Sequence, residues 1–334
     1  MKNNFISYLF KVYNYIIRTS VINRNNRICR KIRSVLFHNI CFECYAHFGK
    51  KNPERLFYLI RCPQETMGLF GLYNYVVMHI DRAVSLGAEP VVDWQFYPNA
   101  SVIEDNAIGR ENAWEYFFEQ CVKIPLKEIY QSHNVIMSGG EGMLSLSEVY
   151  NRSLLKKSSG LIKKYIHLNT AMQERLDEVK KELNMTDGRI LGVLARGTDI
   201  SSSHPKGHSI CATAEETINK VYEKEEEWGR FDKIFLATED AEIYQALKKA
   251  FGERLICNQI QMLHISEKVW LNQLYETKEF AGRKKSKAEE YLIAIYLLAE
   301  CDGLIAPVVG GTLGAMRIKG GYDLCYLFQK GIYG

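Results

Sequence analysis

Hydrophobic positions along this chain fall into short apolar runs separated by stretches with helical spacing. Leu56–Ile60 reads as a strand, Leu72–Ser85 as a helix ended by Gly87, and Pro90–Trp94 as the next strand. That order predicts a βαβ unit. Val135–Met137 followed by Gly139 and Gly140 predicts a further strand and turn. Asn151–Tyr165 reads as a basic surface helix, and Thr170–Leu183 as a helix with Met172, Leu176 and Val179 on one face. Next comes Ile190–Leu194, an apolar run that stops abruptly in Ala195-Arg196-Gly197-Thr198-Asp199. Thr213 to Glu216 then has the form of a capping box. The alternation continues with strands at Lys233–Ala237, Arg254–Cys257 and Asp302–Ala306 and helices at Ala241–Phe251 and Lys287–Glu300. Unbroken apolar runs between helices predict parallel strands buried on both faces.

In open parallel sheets, ligands sit at the carboxyl ends of the strands. Three polar loops fall there in the second half of the chain. Arg196 beside Gly197 suits an anionic ligand such as a diphosphate, although Arg196 and Asp199 could equally pair with each other in a loop. Thr238-Glu239-Asp240 follows the next strand. Gly310-Gly311-Thr312 opens a helix, where backbone N–H groups, a hydroxyl and the positive end of the helix dipole form a phosphate cradle. Neither the P-loop pattern nor the dinucleotide GxGxxG fingerprint is present, which argues against a Rossmann dehydrogenase. In the first half, Glu65, Asp93, Trp94, Trp114 and Glu115 lie in loops that could line a cleft. Aromatic faces beside carboxylates suit sugars, while Trp and Phe in such a cluster are also ordinary core.

Length and charge refine this picture. A chain of 334 residues suggests two domains, and 47% apolar with 25% charged residues is ordinary for a globular protein. Nine cysteines at irregular spacing point to reduced thiols in a cytosol rather than a disulfide framework. The pair Cys41 and Cys44 has no second pair nearby to complete a zinc site. Residues 1–51 hold ten Lys or Arg and one acid, Glu43, a net of +9, whereas the whole chain totals +4 and the remainder is therefore −5. The body is thus no nucleic-acid binder. Phe5, Tyr8, Leu9, Val12 and Ile16 share a helical face in the basic segment. It can lie on an anionic leaflet, pack on the body as a hairpin, or serve as an oligomerisation arm. Lys11, Arg18 and Arg24 break its apolar runs, so it is not a transmembrane span.

The three loops together resemble the motifs of the fucosyltransferase superfamily, which includes the α-1,6-, α-1,2- and protein O-fucosyltransferases. Leu194 to Asp199 is similar to its first motif, His-x-Arg-Arg-x-Asp. Thr238-Glu239-Asp240 is similar to its second, and Glu289 to Thr312 to its third. The resemblance covers residues 187–320 well, 55–120 loosely and 1–50 not at all, and is nearest to bacterial surface-polysaccharide members. Leu194 stands where the motif has His, Gly197 where it has its second Arg, and Ala294 about where an Asp is usual.

The resemblance implies a GT-B-like α/β fold, two Rossmann-like domains with parallel sheets facing across a cleft. The domains would be 53–170 for the acceptor and 171–334 for the nucleotide sugar, after a basic amphipathic helical segment over 1–52. It implies an inverting transfer of fucose from GDP-fucose to a glycan, with no cofactor and no metal. Arg196, Asp199 and His204 would be catalytic, with His204 one of several candidate bases alongside Asp199, Glu65 and Glu115. Arg196, Gly197, Thr238, Asp240, Gly310, Gly311 and Thr312 would hold the donor. Glu65, Asp93, Trp94, Trp114 and Glu115 would lie on the acceptor side. A transferase for another GDP-sugar and a non-catalytic nucleotide-binding regulatory protein are the alternatives. The expected location is the cytoplasm, peripheral on the inner face of the membrane.

Overall fold

A computed structural model of the chain describes residues 43–61, 68–95, 107, 110–139, 145–196, 209–258 and 283–334. The chain divides into two compact units. One comprises residues up to Leu144 with Leu161–Asn169, the other Ser145–Gly160 with Thr170–Gly334.

The first unit contains β1 (Cys44–Ala46), β2 (Lys51–Arg61), α1 (Leu69–Ser85), β3 (Glu89–Asp93), the single turn α2 (Leu126–Ile129) and β4 (Ser132–Met137). The sheet order is β1-β4-β2-β3. β2 pairs in parallel with both β3 and β4, and β1 runs antiparallel to β4. Phe57, Tyr58, Leu59 and Ile60 are all fully buried, which is why this strand reads as an unbroken apolar run instead of an alternating one. From β2 the chain crosses through α1 to β3 on one side, then returns to β4 on the other. The reversal between β2 and β4 is this sheet's switch point. β3 is an edge strand, and side-chain amides close it. Gln120 donates to the Val92 carbonyl at 2.7 Å and accepts from its N–H at 3.1 Å, while Asn112 accepts from Trp94 N–H at 2.8 Å. These bonds satisfy backbone groups that would otherwise invite another strand.

One expectation needs correction here. Cys44–Ala46 lies within the segment read as helical, yet it is a strand paired with Val135–Met137. Three residues with alternating burial carry too little periodicity to be recognised from sequence, and the pairing to β4 decides the conformation. The helical stretches expected before residue 43 lie outside the described residues.

The second unit contains α3 (Arg152–Tyr165), whose last turns belong to the first unit, then α4 (Thr170–Glu182), β5 (Ile190–Leu194), α5 (Ala214–Trp228), β6 (Lys233–Ala237), α6 (Ala241–Phe251), β7 (Leu255–Ile256), α7 (Lys284–Glu300), β8 (Gly303–Pro307), α8 (Gly310–Lys319) and β9 (Leu324–Phe328). The sheet is entirely parallel, in the order β7-β6-β5-β8-β9. On one face, Leu191, Val193, Ile234, Leu236 and Ile305 pack with Val221 of α5 and with Leu247 and Phe251 of α6. On the other face lies α7. A Cβ on Gly192 would come within 2.9 Å of Leu298, so the glycine lets this helix sit down on the central strand. Helices thus cover both faces, and all five β5 residues are buried. The chain runs outward from β5 to β6 and β7, then jumps back to β8 on the opposite side. The second unit's switch point therefore lies between β5 and β8. Both units are α/β with parallel pairing, as expected.

Candidate functional site

Three loops meet at the carboxyl edge of the second unit because β6, β5 and β8 are adjacent in the sheet. Arg196 emerges two residues beyond the end of β5. Its side chain is about one-third exposed, and its Nε lies 3.9 Å from Oε1 of Glu239, two residues beyond the end of β6. On the other side of β5, beyond β8, α8 begins at Gly310. Arg196 and the amino end of α8 thus flank the switch point.

The helices on this edge differ in how they start. α5 begins with the expected capping box, Thr213 and Glu216 bonding each other's backbone N–H at 3.1 and 2.8 Å. α6 begins with Asp240, whose Oδ1 accepts from the N–H of Glu242 and Ile243 at 2.8 and 3.1 Å. α8 is preceded by Val309, which has no side-chain acceptor to offer. The helix start therefore receives no cap from the side chain of the residue before it. Gly311 lets this helix start pack closely. A Cβ there would collide with the hydroxyl of Tyr291 and come within 3.1 Å of Ile295 and 3.3 Å of Leu194.

Two donor-side residues have other work. Thr312 is fully buried, and its hydroxyl donates to the Pro307 carbonyl at 2.6 Å, closing the turn between β8 and α8. Its side chain therefore shapes the β8–α8 turn from within. Asp240 is the α6 cap just described, and Thr238 accepts from the Asp240 N–H at 3.2 Å. The carboxylate facing Arg196 is Glu239, which sequence reasoning placed in the triplet without giving it a role. Its signal was present: it is the triplet member not needed for capping. Gly197, Asp199, His204 and Glu65 lie outside the described residues. Leu194, at the motif's His position, is buried against the Gly311 side of α8.

The first unit's candidates separate into core and surface. Trp114 is fully buried, stacks on Phe118 at 4.2 Å between ring centroids, and donates its indole N–H to the Glu119 carbonyl at 2.9 Å. Trp94 meets Trp114 edge-on at 5.2 Å and is also buried. Neither ring offers a face to a sugar; both are core. Asp93 is fully buried, accepts from Gln95 N–H at 2.9 Å and from the Tyr130 hydroxyl, and its carboxyl is pushed upward by burial. Glu115 is different. It is exposed, and its Oε1 accepts from both Asn112 and Gln120 at 3.0 Å. This oriented carboxylate lines a cleft of about 870 Å³ with Gln95, Glu111, Tyr116 and Lys123, a size suited to a small ligand. Arg61, which sequence reasoning passed over at the end of its first strand, is buried at this unit's carboxyl edge.

No protein-family model and no curated protein matches the chain. Solved structures are similar to it, among them these three. NodZ alpha-1,6-fucosyltransferase soaked with GDP-fucose is 16% identical over 79% of this chain and 93% of its own, with a TM-score of 0.49. A mutant of Arabidopsis thaliana FUT1 in complex with GDP is 9% identical over 95% and 78%, with a TM-score of 0.45. POFUT1 in complex with GDP is 9% identical over 81% and 98%, with a TM-score of 0.43.

Among the described residues, no cluster of three or more His, Cys, Asp or Glu could hold a metal ion. Among them, too, no helix is long and apolar enough to cross a membrane.

Proposed function

We propose that the protein is an inverting glycosyltransferase that moves fucose from GDP-fucose to a glycan acceptor, in the synthesis of a bacterial surface polysaccharide. The observation that carries this reading is that Arg196 and the glycine-opened amino end of α8 both lie at the second unit's switch point. A diphosphate there would face a cation and backbone N–H groups together. As the sugar–phosphate bond breaks, negative charge grows on the departing β-phosphate, and Arg196 would stabilise it without a metal ion. Glu239 lies 3.9 Å from the guanidinium Nε, a carboxylate beside the cation at the neighbouring strand end. Thr312 supports the site by fixing the β8–α8 turn. On the first unit, Glu115 is the candidate for a sugar hydroxyl, since two amides already orient its carboxylate in a cleft. Asp199 and His204 remain the candidate bases for the acceptor's proton. The basic residues 1–50 would bind the protein to an anionic leaflet on the cytoplasmic side.

The motif resemblance supports the choice of guanine and fucose, and the site itself supports only a diphosphate. Leu194 favours a second reading, a transferase for another nucleotide sugar, because an apolar side chain packed against α8 cannot hydrogen-bond a base. Thermal melting separates the two. GDP at 100 times its dissociation constant should stabilise the protein by about 2.7 kcal/mol while UDP does not. Release of GDP from GDP-fucose should continue in excess EDTA. A shift with UDP alone, or strict need for a divalent cation, would remove the reading.

A further inference from the structure

Arg61, the last residue of β2, is 3% exposed. Its Nη2 donates to the Ser138 carbonyl just beyond β4, and its backbone N–H bonds the Ser138 hydroxyl at 2.9 Å. The residue therefore sits across the β2–β4 reversal, the first unit's switch point. Its Nε and Nη1 are both buried and have no hydrogen-bond acceptor. Trp94, just past the end of β3 on the same edge, adds another buried N–H without one. A buried guanidinium with donors unmet is unfavourable and ordinarily carries an anionic partner.

The nearest candidate partner inside the protein is committed elsewhere. Asp93 stands opposite Arg61 in the β2–β3 register, but its two oxygens accept from Gln95 N–H and from Tyr130. Burial also favours its neutral form, against the pull of Arg61. The positive charge of Arg61 acts on Cys44 and His79 as well. α1 opens on this edge too, 17 residues long, with Gly68 at its N-cap, no side-chain cap and no acid in its first turn. Among the described residues, the unmet groups of Arg61 and Trp94 on this edge are all donors, and the helix end adds to the same sign.

We propose that Arg61 and the amino end of α1 form an anion-binding site at the first unit's own switch point, taking a carboxylate or phosphoryl group of a ligand. The shared chemistry is a compact oxyanion, which becomes enclosed because the free guanidinium nitrogens are buried. Two sources could supply it: the diphosphate of a nucleotide sugar, or an acidic group on a glycan acceptor. The inference does not need the donor reading of Arg196.

Inorganic phosphate is the first probe. The melting shift in phosphate, relative to chloride at equal ionic strength, is compared among full-length wild type, Arg61→Met, Arg196→Ala and the double variant. Two sites predict a reduced shift in each single variant and none in the double. GDP and a glucuronate-containing oligosaccharide, with its carboxyl-reduced form as control, then identify the source. Arg61→Met should weaken one of them at least tenfold, GDP if the anion is the diphosphate and the acidic oligosaccharide if it is a carboxylate. Arg61→Gln, which keeps a donor for Ser138, serves in the same comparisons if the Met variant does not fold. Undiminished phosphate shift and affinities without Arg61 would overturn the site and leave the Arg196 reading standing. A shift that survives Arg196→Ala but not Arg61→Met would do the reverse.

Discussion

Arg61 and Arg196 occupy equivalent places in two sheets. Each lies at the carboxyl end of the strand at which its unit's winding reverses, Arg61 as the last residue of β2 and Arg196 two residues beyond β5, and each has a carboxylate from the neighbouring strand end close by. Their surroundings diverge. Arg61 is buried, fixed to the Ser138 carbonyl, and faces an Asp93 occupied by Tyr130 and Gln95. Arg196 is partly exposed, and its Nε lies 3.9 Å from Oε1 of a partly exposed Glu239. The topology supplies the location in both units, but burial decides what the cation can do. A half-exposed guanidinium exchanges water for a ligand readily and can follow charge as it develops. An enclosed one selects its anion by excluding everything that does not fit.

The largest effect expected from breaking this pair is on turnover. Arg196→Ala should lower the rate of GDP-fucose consumption by roughly 10²–10³-fold, the usual consequence of losing one transition-state donor. GDP affinity, from calorimetry, should fall less, because α8 still offers its N–H groups. Near wild-type turnover in the Ala variant would mean that Arg196 does not stabilise the leaving group.

The first unit's habit of burying ionisable groups extends behind α1 and gives it a pH signature. Tyr58 donates its one hydroxyl proton to Glu43 at 2.8 Å, so His79 Nδ1, 2.9 Å away, donates to Tyr58, and its buried Nε2 stays unprotonated. Burial lowers the His79 pKa from 6.5 to about 4. Below pH 6.5 the unfolded chain therefore takes up a proton that the folded one refuses until about pH 4. Stability from this residue is complete above pH 6.5 and is lost as pH falls toward 4, by about 3 kcal/mol. The Arg82 hydrogen bond holds Glu43 below the usual carboxylate range, and that adds a further loss on the acid side. Urea unfolding of wild type and His79→Gln at pH 7 and pH 4.5 isolates the histidine. The variant should show a clearly smaller drop, and parallel curves would show that His79 is not held neutral.

Gly311 tests the opposite quality of the second unit, close backbone approach. Gly311→Ala puts a methyl group against the Tyr291 hydroxyl, and the start of α8 must shift. Overpacking of this kind typically costs 1–3 kcal/mol. Denaturant midpoints should show it, and GDP affinity should fall by about tenfold as the N–H groups move. Unchanged affinity with reduced stability would detach the helix end from the ligand.

Legibility differed between elements for a physical reason. Lys233–Ala237 and Ala241–Phe251 were readable to the residue, because a fully buried parallel strand and a capped amphipathic helix each carry a strong local pattern. β1 and β9 were not. One is three residues long, and the five residues of β9 are mostly half-buried at a sheet edge, so both depend on distant partners. Site residues followed the same division. Arg196 and Gly310-Gly311 announce themselves by breaking apolar runs at strand ends. Trp114 looked like a sugar platform because composition cannot tell a buried ring from an exposed one. Arg61 was hidden because its significance lies in what it fails to bond, which only the packed structure reveals.

The smallest expected effect concerns the tether between the second unit's two loops. The Arg196–Glu239 pair is long and partly solvated, so removing it should change stability by less than about 1 kcal/mol. Glu239→Gln keeps the size of the side chain and removes its charge. Two consequences oppose each other. Arg196 loses a weak guide, which lowers turnover a few-fold at most. A diphosphate loses a nearby like charge, which tightens GDP by roughly two- to fivefold at low salt. The second should shrink between 20 mM and 500 mM salt, where the screening length falls from about 20 Å to about 4 Å. Isothermal titration at the two salt concentrations measures it. If GDP binding instead weakened tenfold or more, Glu239 would be a ligand-contacting residue in its own right, and the contrast between a partly exposed Arg196 and a buried Arg61 would need another explanation.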